Sequence, residues 1–268
     1  MIVWVTGASS GLGKSVVHAL IRHGHQIVAG ARSFEDNREG NVCRFRLDVT
    51  DTDSVRHFAR RALEIFPHAD AVIHCAGILS LGSCEETDAE IYGKIMDTDF
   101  LGMVRLNREV LPHMREAGGG RIVMFSSING LLGIPFQSAY TAAKHAVEGY
   151  AECLQMEVSP FHIQVCLVEP GDHRGGSQHT RGHVPPGPDS PYAQRYLRGT
   201  GRIAHDEANG LDPDRLGEKV AGLLERKHMP FRKRIASSDQ HLAVWLHDLL
   251  PPSLNHRILQ NYYGQNHP

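Results

Sequence analysis

Ile2-Val3-Trp4-Val5-Thr6-Gly7-Ala8-Ser9-Ser10-Gly11-Leu12-Gly13 is the stretch on which the fold turns. An apolar run of β-favouring residues gives way to a glycine-rich loop, and the loop runs into an amphipathic segment, 12–23, with helical spacing. Strand, glycine loop and helix together begin a βαβ unit. Glycines there let the backbone approach a phosphate, and the helix amino terminus offers unpaired N–H groups and partial positive charge. The spacing is G-x-x-x-G-x-G, not the G-x-G-x-x-G dinucleotide fingerprint, and Ala8 to Ser15 also reads A-x-x-x-x-G-K-S, one residue short of a P-loop. A P-loop nucleotide hydrolase needs a second acidic residue at a strand end to hold Mg²⁺, and Asp48, closing the third apolar run, is the candidate. The two readings predict different chemistry.

Outward from this loop, short apolar runs alternate with amphipathic stretches. Strands are expected at 2–5, 26–30, 42–47, 70–74, 121–125, 163–168 and 232–236, and helices at 12–23, 52–65, 87–116, 138–158, 213–226 and 238–248. The alternation predicts an α/β fold: one domain over 1–268, with a single Rossmann-type, doubly wound parallel sheet of about seven strands and helices on both faces. Ligands of such a sheet bind outside the carboxyl ends of its strands. The connection 31–41 is short, so its crossover helix is stunted or missing. Residues 171–210 shift to Gly, Pro, His, Arg and Ser, as in Pro185-Pro186-Gly187-Pro188. A structureless loop of that length after a strand's carboxyl end is expected to be a substrate lid, with 211–268 completing the substrate side; the alternative is a surface insertion with no role.

Lys and Arg total 28 and Asp and Glu 30, a formal charge of -2 over 268 residues, which gives no electrostatic footprint for nucleic acid or an anionic membrane. Small molecules and copies of the chain are the expected partners. The five cysteines, Cys43, Cys75, Cys84, Cys153 and Cys166, are odd in number and widely spaced, so a reducing cytoplasm is expected rather than a disulfide framework. Eighteen histidines are scattered over helix ends and loops. Only His173, His179 and His183 fall together, without regular ligand spacing, and no metal site is expected. Met1 leads straight into the first strand with no basic region before it, and no apolar stretch reaches about 18 residues, so neither a targeting peptide nor a membrane span is expected.

Near the middle, Tyr140-Thr141-Ala142-Ala143-Lys144 puts a phenol and an ammonium four residues apart on one helix face. A free phenol titrates near ~10, and a cation beside it favours the phenolate, which makes the pair a proton-transfer device. A P-loop reading gives these two residues no task.

With the glycine loop at the start and Y-x-x-x-K near the middle, the chain resembles the short-chain dehydrogenase/reductase family. The likeness covers roughly 1–171: Thr6 to Gly13, Asp48-Val49, Ala76-Gly77, Ser127 thirteen residues before Tyr140, Lys144, and Pro170-Gly171. It implies that Ser127 hydrogen-bonds the substrate oxygen, Tyr140 moves the proton, and Lys144 bonds the nicotinamide ribose while depressing the Tyr140 pKa. Cofactor contacts are implied for Gly7, Ser9, Ser10, Gly11, Leu12, Gly13, Arg32, Asp48, Val49, Cys75, Ala76, Gly77, Tyr140, Lys144, Pro170 and Gly171. Where NAD-type relatives have Asp this chain has Ala31, followed by Arg32; an arginine there accommodates a 2′-phosphate, so NADP(H) is expected over NAD(H), with Glu35 and Asp36 nearby as counter-evidence.

The chain also departs from the family. Asp99 stands where the catalytic set has an asparagine; it can accept hydrogen bonds and would place negative charge near Lys144. His74-Cys75 replaces two asparagines, and Asp172-His173-Arg174 lacks the threonine often found there. These departures keep open a low-turnover NADP(H)-binding sensor or scaffold. The expected substrate is a bulky hydrophobic alcohol or ketone, since Leu167 to Gly171 and the long tail resemble the steroid- and retinol-active branch. Ile128, Leu131, Leu132, Ile134, Phe136, Tyr192 and Tyr196 are candidate liners, or packing residues of the lid. Long fourth and fifth helices resemble the family's dimer contacts, implying a homodimer or homotetramer.

Overall fold

β1 (Ile2–Thr6) lies inside an eight-stranded sheet, and all five of its residues are buried. Strand alternation sends Trp4 to one face and Val3 and Val5 to the other, and both faces are covered by helices, so the run carries no polar alternation. Trp4 meets Phe58 edge-on at 5.8 Å, which fixes one helix over the strand. This computed structural model describes residues 1–175 and 181–265.

From β1 the chain forms α1 (Gly11–Arg22), β2 (Gln26–Ala31), β3 (Asn37–Glu39), β4 (Val42–Arg46), α2 (Thr52–Ile65), β5 (Ala71–His74) and β6 (Ser80–Leu81). Next come α3 (Ala89–Met96), a π-helical turn (Asp97–Leu101), α4 (Gly102–Glu116), β7 (Gly120–Phe125), α5 (Ser138–Val158) and β8 (Ile163–Pro170). The last part holds β9 (Gly182–His183), α6 (Ala193–Ala208), α7 (Pro213–Leu224), β10 (Arg232–Ile235), α8 (Ser238–Leu249) and α9 (Pro252–Tyr262). The sheet order is β10-β8-β7-β5-β1-β2-β4-β3, parallel except for β3. Strand order reverses at β1, between β2 and β5, and a cleft opens outside the carboxyl ends there. The Rossmann-type doubly wound sheet expected from the sequence is the fold.

The differences from expectation have local causes. The main sheet has eight strands rather than about seven, because the exposed trio Asn37–Glu39 pairs antiparallel with β4, and three polar residues carry no strand pattern. No helix forms between Ala31 and Val42. The single helix expected over 87–116 is three segments, with the Gly102 amide bonding the Asp97 carbonyl five residues back. The span expected to be structureless contains α6, whose buried residues Tyr196, Gly199, Ile203 and Glu207 follow helical spacing. Two glycines hide that helix in the sequence. Gly199 is required by packing: a Cβ there would come within 2.9 Å of the Phe136 ring. Phe136 itself takes a left-handed φ of 63°, a strained geometry for a side-chain-bearing residue, held by its edge-on contact with Tyr196 at 5.4 Å. β6 pairs with β9 in a separate two-stranded ladder.

Candidate active site

The glycine loop leaves β1 with Gly7 at φ +66° and Gly11 at φ +51°, conformations that suit glycine. A Cβ on Gly7 would meet the Ala76 amide at 2.6 Å, and Gly13 packs on the Gly7 carbonyl, so loop, turn and helix press together. The Thr6 hydroxyl accepts from the Ala76 amide at 3.2 Å. Ser10 is the N-cap of α1 without a side-chain cap bond, and no acid lies in the first turn, so the first amides of the helix keep their hydrogen-bonding capacity. Ser9, Ser10, Leu12 and Arg32 line this end of a cleft of about 490 Å³. Arg32 is exposed and forms no ion pair among the described residues, although its charge reaches Asp48; the Asp36 carboxylate instead accepts from the Arg46 amide, and neither Glu35 nor Asp36 lines the cleft.

Asp48 and Val49 line the cleft beyond β4. Asp48 Oδ1 accepts from the Thr50 amide at 3.0 Å and hydroxyl at 2.7 Å; burial raises its pKa, but these bonds win and hold it below the ordinary carboxylate value. The P-loop reading fails on geometry, because Lys14 points to solvent on α1 and is not among the cleft's lining residues. The Cys75-Ala76-Gly77 turn follows β5. Beneath it, buried His74 donates from Nε2 to Asn107 Oδ1 at 2.8 Å, and burial holds its pKa down at about 4.

At the middle of the cleft, β7, the π turn and α5 bring four side chains together. Ser127 follows β7, and its hydroxyl bonds the Tyr140 phenol and accepts from the Asn129 amide at 3.2 Å. Lys144, 3 % exposed, donates from Nζ to the Phe125 carbonyl at 3.0 Å and lies 3.2 Å from Asp99 Oδ2 and 5.3 Å from the Tyr140 ring centroid. Asp99 Oδ1 accepts from the Ile78 amide at 2.7 Å, tying the Gly77 turn to the π turn. Burial opposes the Lys144 charge, yet Asp99 and Tyr140 outweigh it and the ammonium pKa stands above its ordinary value. For Tyr140 the balance is the reverse of the sequence expectation: burial dominates and raises the phenol pKa, while Lys144 pulls it down and Asp99 works against that pull.

Pro170 and Gly171 end β8. Gln240 of α8 packs on Gly171 and bonds Asp172 twice, accepting from its amide at 3.2 Å and donating to Oδ2 at 2.6 Å. Every residue assigned from the sequence to catalysis or cofactor contact lines the one cleft. Of the substrate liners, Ile128 and Ile134 do. Leu131, Leu132, Phe136 and Tyr196 do not line it and pack with Ile128, Ile134 and Ile203 in an apolar cluster to which α6 contributes, and Tyr192 gives its hydroxyl to Glu85. Sequence reading missed Asn129 and Gln137, joined at 2.7 Å, and the carboxyl-terminal wall of Asp172, His173, Ile203, Asp206, Glu207 and Tyr263. Asn129 stands two residues after Ser127, and Asp172 and His173 directly follow Gly171, so nearness to assigned residues was a usable signal for them; Ile203, Asp206, Glu207 and Tyr263 are brought to the site only by the fold. Of the histidine trio, His173 Nδ1 bonds the Gly171 carbonyl and His183 Nδ1 the Tyr196 hydroxyl, while His179 lies outside the described residues.

A cleft with phosphate-type donors at one end and a phenol, a hydroxyl and an ammonium at its middle belongs to the Rossmann-type oxidoreductases. Residues 1–182 match the short chain dehydrogenase family, and the chain belongs to it: an NAD(P)-dependent oxidoreductase acting on CH–OH groups. It is 37% identical over 264 residues to a 3-ketodihydrosphingosine reductase of Bacteroides thetaiotaomicron, covering 98% of each chain. Among solved structures, a short-chain dehydrogenase from Streptomyces avermitilis superimposes with a TM-score of 0.80 at 27% identity, covering 99% of this chain and 98% of that one. A Burkholderia cenocepacia short chain dehydrogenase in complex with NADP gives 0.73 at 21% identity, covering 100% and 98%.

Proposed function

We propose that the protein is an NADP(H)-dependent reductase that interconverts a bulky hydrophobic ketone and its secondary alcohol. The observation that carries this reading is the Ser127–Tyr140–Lys144 cluster, set in the same cleft as the glycine loop. The donor set fits a phosphorylated dinucleotide: a loop with no room for a side chain at Gly7 or Gly13, the start of α1, and exposed Arg32, in no ion pair among the described residues, for a 2′-phosphate. Gly7 to Gly13 and Arg32 would hold the phosphates, Asp48, Val49 and the Cys75–Gly77 turn the adenosine side, and Lys144, Pro170 and Gly171 the nicotinamide side. The nicotinamide, when bound, supplies or accepts the hydride.

The chain's own residues do the rest. Ser127 donates its hydroxyl proton to the substrate oxygen and fixes the carbonyl beside Tyr140. Tyr140 transfers its phenolic proton to the developing alkoxide. A phenol pKa raised by burial keeps that proton in place until negative charge builds, which suits the reductive direction. Lys144, held charged by Asp99, then stabilises the phenolate left behind. The 3-ketodihydrosphingosine reductase, whose name denotes a ketone on a hydrophobic chain, supports the substrate class.

The deciding experiment is NADPH oxidation by purified protein across steroids, retinoids and long-chain ketones. Turnover confined to hydrophobic ketones is the expected result. Tight NADPH binding with no oxidation anywhere in the panel would return the protein to the sensor reading. We also propose a cytoplasmic homodimer or homotetramer assembled through α4 and α5; five free cysteines support the compartment, and exposed Met156 near the end of α5 supports the contact. Sedimentation as a monomer would refute the assembly, and fractionation with an extracytoplasmic marker the location. No helix among the described residues is long and apolar enough to cross a membrane.

A further inference from the structure

The last helix pair leaves an unusual amount of apolar surface in solvent. Leu242, Trp245 and Leu249 of α8 and Leu254, Ile258 and Tyr262 of α9 are six of the eleven large apolar side chains exposed among the described residues, so the excess belongs to these helices and not to the surface at large. At 100° per residue the three on α8 fall within about 60° of one another and the three on α9 within about 80°. Other sides of the helices hold them to the domain. Val244 of α8 and Leu259 and Tyr263 of α9 pack in the apolar cluster that contains Ile128, Ile134 and Ile203. Asn255 Nδ2 donates to the His247 carbonyl at 3.5 Å, which joins α8 to α9, and the Arg202 guanidinium of α6 lies 4.2 Å from the Tyr262 ring centroid and bonds its hydroxyl at 2.6 Å.

Two observations bear on what covers this face. The first is continuity with the cleft. Tyr263 lines the cleft while its neighbour Tyr262, edge-on at 5.0 Å, is exposed, so α9 has the cleft on one side and an open apolar stripe on another. The second is charge. Helices α6 and α9 carry Arg195, Arg198, Arg202 and Arg257 against Asp206 and Glu207, and both acids are ion-paired, Asp206 with Arg202 and Glu207 with Arg181. Arg195 and Arg257 are exposed and form no ion pair among the described residues. The formal charge of -2 for the whole chain hides this local excess. On α8 the acids Asp239 and Asp248 lie to the sides of the stripe, each about 90° from it. A two-fold contact between copies would set the same arginine-edged patch against itself. A lipid surface instead offers phosphates to the arginines and takes up leucine, isoleucine and indole side chains without a matching shape.

We propose that the outer face of α8 and α9 docks on an anionic lipid surface, with Trp245 in the interface, so that the protein meets its hydrophobic ketone at a membrane. That purpose rests on the hydrophobic-ketone reading; the docking does not. Helices of 12 and 11 residues are too short to span and would lie along the interface.

The two tryptophans report separately, since Trp4 is sealed in the core and Trp245 is 57 % exposed. The test adds vesicles of mixed phosphatidylcholine and phosphatidylglycerol to the full chain. Trp245 emission should move to shorter wavelength, and acyl chains brominated near the headgroup should quench it, as an indole about 5–10 Å deep requires. Leu242→Ser combined with Leu249→Ser keeps the reporter and alters only exposed side chains; it should raise the lipid concentration at half-saturation by about tenfold or more. An unchanged wild-type spectrum with vesicles present overturns the proposal. So does undiminished vesicle binding by the double variant, which would place the contact elsewhere. A blue shift that grows with protein concentration in the absence of lipid also overturns it and assigns the face to a second copy. Should the double variant not fold, the wild-type spectrum and quenching still decide. None of these readouts needs turnover: vesicle binding with a failed ketone panel refutes only the substrate reading, and turnover without vesicle binding refutes only the docking.

Discussion

Where the glycine loop, α1 and Arg32 meet, the cleft presents backbone N–H groups and a guanidinium; where Asp172, α6 and Tyr263 meet, it is lined by carboxyl groups. The first end is local in sequence and made largely of backbone, so its chemistry follows from the spacing of a few glycines. The second is assembled from side chains spread between residues 172 and 263, each ordinary where it stands. Lys144 and Asp99 sit between them, an ion pair buried where the two ends join. One cleft thus has two ends of opposite charge and different construction.

The largest test of this division is at the junction. Tyr140→Phe removes the transferable proton but little volume, so kcat should fall by ~10²–10⁴ while NADPH affinity changes far less. An unaltered rate would remove the proton-transfer role on which the two-ended description depends. Next, Asp99→Ala leaves Lys144 buried without its partner and the Ile78 amide without an acceptor. Urea denaturation should show a loss of about 3–5 kcal/mol, with Asp99→Asn milder because it keeps an acceptor for that amide. Equal stability for all three proteins would mean that the junction does not depend on the ion pair.

Acid should weaken the donor end from below. His74 has a folded pKa of about 4 against 6.5 when free, so the unfolded chain binds more protons between those values and stability rises with pH across them. Its contribution is whole above 6.5 and is lost as pH falls towards 4, about 3 kcal/mol in all. Chemical denaturation from pH 7 to 4 should show this slope, and His74→Asn should flatten it. The smallest effect is expected at the far donor end: Arg32→Glu should shift the NADPH-over-NADH preference by about 10–100-fold without altering selection among ketones. A change in ketone selection instead would join the two ends that the structure separates.

The same division explains what could be read in advance. β1, β2, β5, β7 and β8 show as apolar runs because both faces of the sheet are covered, and α2 and α5 fall on the expected residues, 52–65 and 138–158. The glycine loop and the Ser127, Tyr140 and Lys144 offsets are fixed by one strand end and one helix face. β3 escaped notice because an exposed edge needs no apolar pattern, and α6 because Gly199 and Gly201 mimic a loop while Gly199 serves its packing on Phe136. The sign of the Tyr140 shift was misjudged for a physical reason. Sequence shows which charges lie nearby, but the cost of burying them depends on how deeply the fold encloses the phenol.

The π turn at Asp97–Leu101 carries a last consequence, for alignment and for engineering. It spends one extra residue between α3 and α4, and removing that residue would rotate one helix against the other by about 100°. Asp99 would then no longer face Lys144, although every side chain in the segment had been kept. Length here is constrained more tightly than composition: substitutions on the exposed side of α3 should be tolerated, whereas a single-residue insertion or deletion anywhere from Met96 to Gly102 should silence the site.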